Sequence, residues 1–123
     1  IEADIFVTAA VPDLLKMNDV PLIKSKMIVE GSNIPAKFEV EEALAKKGVL
    51  VVPDIIANAG GVISSYAEYK GKTADQMFKL VKQKITSELQ VILEDSFKRK
   101  IMPRISANEI AKQRVHEAMK KRK

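Results

Sequence analysis

Three short segments place small and polar residues directly behind apolar runs: Thr8-Ala9-Ala10, Glu30-Gly31-Ser32-Asn33, and Pro53 through Gly61. In open parallel sheets a ligand lies beyond the carboxyl ends of the strands. Small residues there let it approach the backbone, and Asn can both donate and accept hydrogen bonds. The chemistry in view is recognition of a small polar molecule. Strand-to-helix turns also use Gly, Asn and Asp for conformational reasons of their own, so residue type alone leaves both readings open.

Other chemistries fail on inventory. The glycines are Gly31, Gly48, Gly60, Gly61 and Gly71, and no three of them have the Gly-x-Gly-x-x-Gly spacing that cradles a pyrophosphate. Gly71-Lys72-Thr73 does not complete a phosphate loop, because Tyr66 stands where the first Gly of that motif would be. Without Cys there is no disulfide framework or thiolate metal site, and with His116 as the single His there is no multi-His zinc site, so no metal is expected. His116 lies in a basic terminal helix and reads as a surface residue. Glu39, Glu41 and Glu42 open a helix, where acids suit the dipole, and read as a solvated face. Asp54 follows a strand and suits either a functional role or a helix start.

The elements that must position these segments are legible as periodicity. Residues Asp4 to Ala10, Met27 to Val29 and Val49 to Val52 are short apolar runs without alternation, as expected of strands buried on both faces. Phe38 to Lys47 has helical spacing and is followed by Gly48, suited to the position just past a helix end. The alternation predicts an α/β fold: a partial Rossmann-like parallel sheet of about three strands with flanking helices. Ile55 to Tyr69 reads as a helix weakened by Gly60-Gly61. Thr73 suits an N-cap for a long amphipathic helix over Ala74 to Lys100, with Met77, Leu80, Val81, Ile85, Leu89, Ile92, Leu93 and Phe97 on its apolar side. Met102-Pro103 ends it. Ser106 is expected to cap a last helix from Ala107 to about Lys121, with Ile110, Val115 and Met119 among its apolar positions.

Hydrophobic residues make up 46% and charged residues 30%, the composition of a folded domain with one modest core. The net charge of +5 is concentrated at the end, where Lys98 to Lys123 holds ten Lys or Arg against Glu109 and Glu117. No aromatic residue follows Phe97, so base-stacking platforms are lacking there and nucleic-acid binding is not expected. No apolar run approaches the roughly 20 residues that span a bilayer, and no signal peptide opens the chain. No membrane association and a cytoplasmic location are the expectation. The chain enters an apolar stretch with no preceding cap or loop, as a piece of a longer protein would.

The segments also match a family. Val29-Glu30-Gly31-Ser32-Asn33-Ile34-Pro35 resembles the Val/Ala-Glu-Gly-Ala-Asn-Gly-Pro motif of glutamate dehydrogenases. Pro53-Asp54-Ile55-Ile56-Ala57-Asn58-Ala59-Gly60-Gly61-Val62 is similar to their Pro-Asp-x-x-Ala-Asn-Ala-Gly-Gly-Val, and Ser65-Tyr66-Ala67-Glu68 to their Ser-Tyr-x-Glu. Asp4 to Ala10 resembles a family strand reading Asp-Ile-Leu-x-Pro-Ala-Ala, and Arg114 to Met119 the closing helix. The resemblance runs the length of the chain and implies the carboxyl-terminal portion of a dinucleotide-binding domain, with strand–helix units and cofactor and substrate loops over 1–70 and terminal helices over 71–123.

The implied activity is reversible, NAD- or NADP-dependent oxidative deamination of glutamate to 2-oxoglutarate and ammonia. The resemblance places Ala9 and Ala10 against the nicotinamide half of the cofactor, Asn33 near the nicotinamide ribose, and Asn58 on the nicotinamide or its ribose. It places Val62 and Ser65 in the substrate pocket, with the Ser65 hydroxyl toward the side-chain carboxylate. A side chain at Gly60 or Gly61 would obstruct close approach of cofactor and substrate. Leucine, valine and phenylalanine dehydrogenases share the Asn-Ala-Gly-Gly-Val core but typically lack the Ser-Tyr-x-Glu that follows. A polar pocket group suits a carboxylate substrate.

Ile34 stands where the family has Gly, Thr8 where it has Pro, and Ala36-Lys37-Phe38 replaces Thr-Thr-Pro. A β-branched residue resists the positive φ that Gly permits, so the loop after Asn33 is expected to differ in shape. The family's catalytic lysine and aspartate lie in an amino-terminal substrate domain, so the resemblance puts no catalytic residue in this chain and implies no turnover by it alone. It also implies a homo-oligomer in the parent enzyme; the family forms hexamers, held largely through that other domain, and no hexamer is assumed for this chain. The alternative function is a stand-alone nucleotide-binding or protein-interaction module.

Overall fold

The computed structural model describes residues 2–121. Ile1, Arg122 and Lys123, counted above in the opening stretch and the basic end, lie outside them. Strands β1 (Ile5–Thr8), β2 (Met27–Glu30) and β3 (Leu50–Val52) form a parallel sheet in the order β1-β2-β3. Ile5 pairs with Met27 and Thr8 with Glu30, while Ile28 pairs with Val51. The register brings the carboxyl ends of β1 and β2 level, so the segments after them open on the same side.

Parallel neighbours need crossover connections. From β1 to β2 the crossover is irregular, with one 3-10 turn over Met17–Leu22. Lys47, just past the next helix, secures it by donating through Nζ to the carbonyls of Val20, Pro21 and Ile23 at 2.8, 3.0 and 2.6 Å. From β2 to β3 the crossover is helix α1 (Phe38–Lys46), and Gly48 beyond it has φ +86° as a helix-ending Gly requires. After β3 come α2 (Asp54–Ala57), α3 (Gly60–Tyr69), α4 (Ala74–Arg99) and α5 (Pro103–Lys120). The weakened helix expected over Ile55 to Tyr69 is thus two helices meeting at Asn58-Ala59. Thr73 caps α4 reciprocally with Gln76, each side chain bonding the other's backbone N–H.

The sheet separates two apolar cores. On one face Ile28, Val51 and Phe6 pack with Val40 and Leu44 of α1 and with Leu15. On the other, Val52, Met27 and Val29 pack with Ile56, Ile92, Ala107 and Ile110. The expectation of strands buried on both faces fails at β1. Ile5 and Val7 remain 55% exposed because no helix reaches over that edge strand. Phe97, Val115 and Met119, expected on apolar helix faces, are also exposed.

The last helix corrects a second expectation. It begins at Pro103, not Ala107, because proline suits the first helical position. Ser106 lies inside it, fully buried, and donates to Asp95 Oδ2 at 2.7 Å, tying α5 to α4.

The loop after Asn33 gives a third. Ile34 does take the positive φ that its side chain resists, at +45°. Its N–H donates to Asp54 Oδ2 at 2.8 Å and its carbonyl accepts from Asp13 N at 2.8 Å. Two outside contacts therefore hold a conformation costing roughly 1–2 kcal/mol for a non-Gly residue. Because the Ile34 side chain is 60% exposed, little packing is lost on removing it. Ile34→Gly is expected to raise stability by about 0.5–1 kcal/mol, after allowing for glycine's entropy when unfolded. A urea midpoint at or below wild type would show the loop to be unstrained.

Candidate functional site

The turns after β1 and β2 and the start of α3 enclose an open cleft of about 620 Å³. Ala9, Ala10, Asn33, Asn58, Val62 and Ser65, drawn from three separate segments of sequence, all line it, together with Gly31 and Gly61. Asn58, just past the end of α2, donates through Nδ2 to Asn33 Oδ1 at 2.6 Å. That bond uses one donor of Asn58 and one acceptor of Asn33. The pair can still offer the Asn33 amide as donor and the Asn58 carbonyl as acceptor, complementary to a ligand that carries both. Ser65 donates to the Gly61 carbonyl at 3.1 Å, and Ser64 donates to the same oxygen at 2.8 Å. If Ser65 turned toward a ligand, Ser64 would still satisfy that carbonyl.

The glycines divide by what a Cβ would meet. At Gly61 it would meet nothing within 4 Å and would stand in the cleft. At Gly60 it would lie 3.5 Å from Val81 and 3.8 Å from Ile85, so Gly60 faces α4 and does not guard ligand approach as expected. At Gly31 it would lie 2.9 Å from the Thr8 carbonyl oxygen. That oxygen accepts the Ser32 N–H at 2.8 Å and fixes the two strand ends against each other. Gly31→Ala is expected to destabilise by about 1–3 kcal/mol, since backbone must shift. Gly61→Ala should leave stability unchanged or slightly raised. Equal thermal midpoints for the two variants would contradict this assignment.

Beneath the cleft lies a charge cluster that the sequence reading missed. Arg104, in the first turn of α5, donates through Nε to both Glu41 oxygens at 2.7 and 2.8 Å and through Nη2 to Glu30 Oε2 at 2.6 Å. Its Nη1 lies 2.9 Å from Asp54 Oδ1. Glu30 also accepts the Asp54 N–H at 3.0 Å. Glu41 is therefore buried in an ion-pair network and is not on the solvated face assigned to it; Glu39 and Glu42 are exposed. The missed partner is 63 residues away from Glu41 and 74 from Glu30. The one local signal was a carboxylate ending an apolar strand, at Glu30.

One guanidinium faces three carboxylates, so it offsets the cost of burying Glu30 and Glu41 only in part. Burial, then the Glu41 charge, push the Glu30 carboxyl up to about 7, against the Asp54 N–H and Arg104. Burial also raises Glu41, partly offset by Arg104. Glu30 and Glu41 feel each other's charge, so their titrations are coupled, and Arg104 stays charged. Glu30 Oε1 and the neighbouring Thr8 Oγ1 are buried without a hydrogen-bond partner, as befits a Glu30 that is readily protonated.

A second cavity of about 400 Å³ opens at the far end of β3, lined largely by apolar groups of Val49, Val51, Phe97 and Met102. Its carboxylate, Glu41, is committed to Arg104, so it offers no convergent polar groups. His116 is exposed on α5, away from both cavities. Among the described residues no group of three His, Cys, Asp or Glu side chains could hold a metal ion, and no helix is long and apolar enough to cross a membrane.

Known proteins resemble this chain over nearly its whole length. The chain is 35% identical to the NADP-specific glutamate dehydrogenase of Saccharolobus shibatae, over 98% of the chain and 30% of that protein. It is 37% identical to the glutamate dehydrogenase of Aeropyrum pernix, over 97% of the chain and 31% of that protein. It thus spans about a third of the length of these relatives. The crystal structure of L-tryptophan dehydrogenase from Nostoc punctiforme superposes with a TM-score of 0.85 at 29% identity, covering 98% of the chain and 36% of that one. The model of the Glutamate/Leucine/Phenylalanine/Valine dehydrogenase family matches residues 1–123, and the chain belongs to that family.

Proposed function

We propose that this chain is the carboxyl-terminal portion of the dinucleotide-binding domain of an NAD- or NADP-dependent glutamate dehydrogenase. Residues 1–70 contribute the cofactor and substrate loops, and 71–123 the terminal helices. The observation that carries this reading is the meeting of Ala9, Ala10, Asn33, Asn58, Val62 and Ser65 in one cleft. The reaction is oxidative deamination of L-glutamate to 2-oxoglutarate and ammonia, for which a bound nicotinamide supplies the hydride acceptor.

The residues present suit that group. The Asn33–Asn58 pair presents a donor beside an acceptor, the pattern a carboxamide or ribose needs. Ala9, Ala10 and Gly61 leave a ring room to approach the backbone. Ser65, turned from the Gly61 carbonyl, donates to the substrate's side-chain carboxylate, and Val62 forms the apolar wall beside it. Glutamate is favoured over an apolar amino acid by this hydroxyl and by the glutamate dehydrogenases among the relatives. The intact enzyme is a homo-oligomer.

The sequence carries no phosphate fingerprint, and among the described residues no lysine lines the cleft. Hydride transfer requires both reactants held in register, so the polypeptide alone is expected to show no glutamate-dependent reduction of NAD or NADP above a blank. Its cofactor wall is nevertheless testable by ¹⁵N NMR. Nicotinamide mononucleotide should shift the side-chain amides of Asn33 and Asn58, and 2-oxoglutarate the backbone amides of Val62 and Ser65. Turnover by the polypeptide would overturn the proposed division of labour, and shifts confined to residues outside the cleft would overturn the site.

A further inference from the structure

We propose that Arg104 is a positioning residue for the cofactor wall, acting through Asp54 and Glu30 on the two asparagines; this rests on the functional reading above. The geometry is a continuous chain of contacts. The guanidinium reaches α1 through Glu41, the end of β2 through Glu30 and the start of α2 through Asp54. Asp54 divides its carboxylate: Oδ1 faces Arg104 and accepts the N–H of the next residue, Ile55, at 2.8 Å, while Oδ2 accepts the Ile34 N–H at 2.8 Å.

Ile34 directly follows Asn33, and Asn58 ends the helix that Asp54 begins. Arg104 therefore fixes both ends of the Asn33–Asn58 bond without lining the cleft. The strained φ of Ile34 makes the coupling matter, because a loop at +45° with a β-branched residue relaxes once its N–H is released. The charged groups facing Arg104 are Glu30 from β2, Glu41 from α1 and Asp54 from α2.

The test uses Arg104→Lys, which keeps the charge but cannot span three carboxylates in fork geometry, and Glu41→Gln, which loosens the guanidinium from the side remote from the cleft. Amide hydrogen exchange is followed at Ile34 and at Ile92, a buried residue of α4. Arg104→Lys is expected to speed exchange at Ile34 by about tenfold more than at Ile92, and Glu41→Gln by about threefold more. The dissociation constant for nicotinamide mononucleotide, read from the Asn33 and Asn58 side-chain amides, should rise about fivefold or more with Arg104→Lys.

Equal acceleration at Ile34 and Ile92 would make Arg104 a support of the whole fold and overturn the proposal. Loss of the folded spectrum in both variants would overturn it for the same reason. If nicotinamide mononucleotide leaves the wild-type asparagines unmoved while Ile34 still exchanges selectively faster in the variants, the cofactor reading fails and the positioning of the loop stands.

Discussion

Arg104→Ala is expected to destabilise the protein by about 3–5 kcal/mol at neutral pH, the range for removing one partner from a buried ion pair. Three carboxylates would remain with no counter-ion; the Glu30 side chain is fully buried and those of Glu41 and Asp54 nearly so. Protonation is their escape. Carboxyl groups raised in the folded state bind protons that the unfolded chain has already released, so acid favours the folded variant. The deficit relative to wild type should accordingly be largest near pH 8 and shrink toward pH 5. Urea denaturation at both pH values checks this. A deficit that does not change with pH would mean that packing of the arginine stem, not charge, is what alanine removes.

Glu30 provides the second large effect, and its sign is opposite to the usual carboxylate case. Its folded value near 7 lies above the ordinary 4.5. Below about pH 4.5 the carboxyl is protonated in both states and the cluster is at its most stable. As pH rises from about 4.5 to about 7 the unfolded chain ionises first, and stability falls by on the order of 3 kcal/mol from this group before levelling off. Glu41, raised in the same direction, adds to the decline. Glu30→Gln should abolish most of that slope. The Gln carbonyl can accept the Arg104 and Asp54 donors that now share Oε2, and its amide takes the place of the unpartnered Oε1. The variant should match wild type near pH 5 and exceed it by about 2 kcal/mol near pH 8. A variant less stable than wild type at pH 8 would show Glu30 to be ionised and stabilising.

What could be read from the sequence was whatever depends on neighbours along the chain. The apolar runs gave the three strands, the period of Phe38 to Lys47 gave α1, and Thr73 with Gln76 three residues later carried its own cap signal. Ala9, Ala10, Asn33 and Asn58 were legible because each sits just behind a strand or a short helix, whereas Val62 and Ser65, inside α3, were marked only by the family resemblance. The errors share a different cause. Glu41 has the spacing of a solvated position on α1 and is buried only because Arg104, far along the chain, lies over it. Ser106 has the chemistry of a cap, yet Pro103 starts the helix a turn earlier and Asp95 takes the hydroxyl. Gly60 looks equivalent to Gly61 in sequence, and a helical rotation of 100° per residue turns one toward α4 and the other into the cleft. Exposure of Ile5 and Val7 depends on which helices cover an edge strand, which no local pattern encodes.

The tie from Arg104 back to Glu30 spans 74 residues, and this has a consequence for the order of events during synthesis. The loop bearing Asn33 leaves the ribosome before α5, and its sheet and α1 can form from contacts close in sequence. The groups that fix its shape arrive only when α5 docks. Contacts of such separation form late because loop closure must precede any gain. A nascent chain halted before residue 104 thus has the Asn33 loop but not the arginine tied to it through Asp54. The shape of the Asn33 loop is thus set after the sheet, when α5 docks.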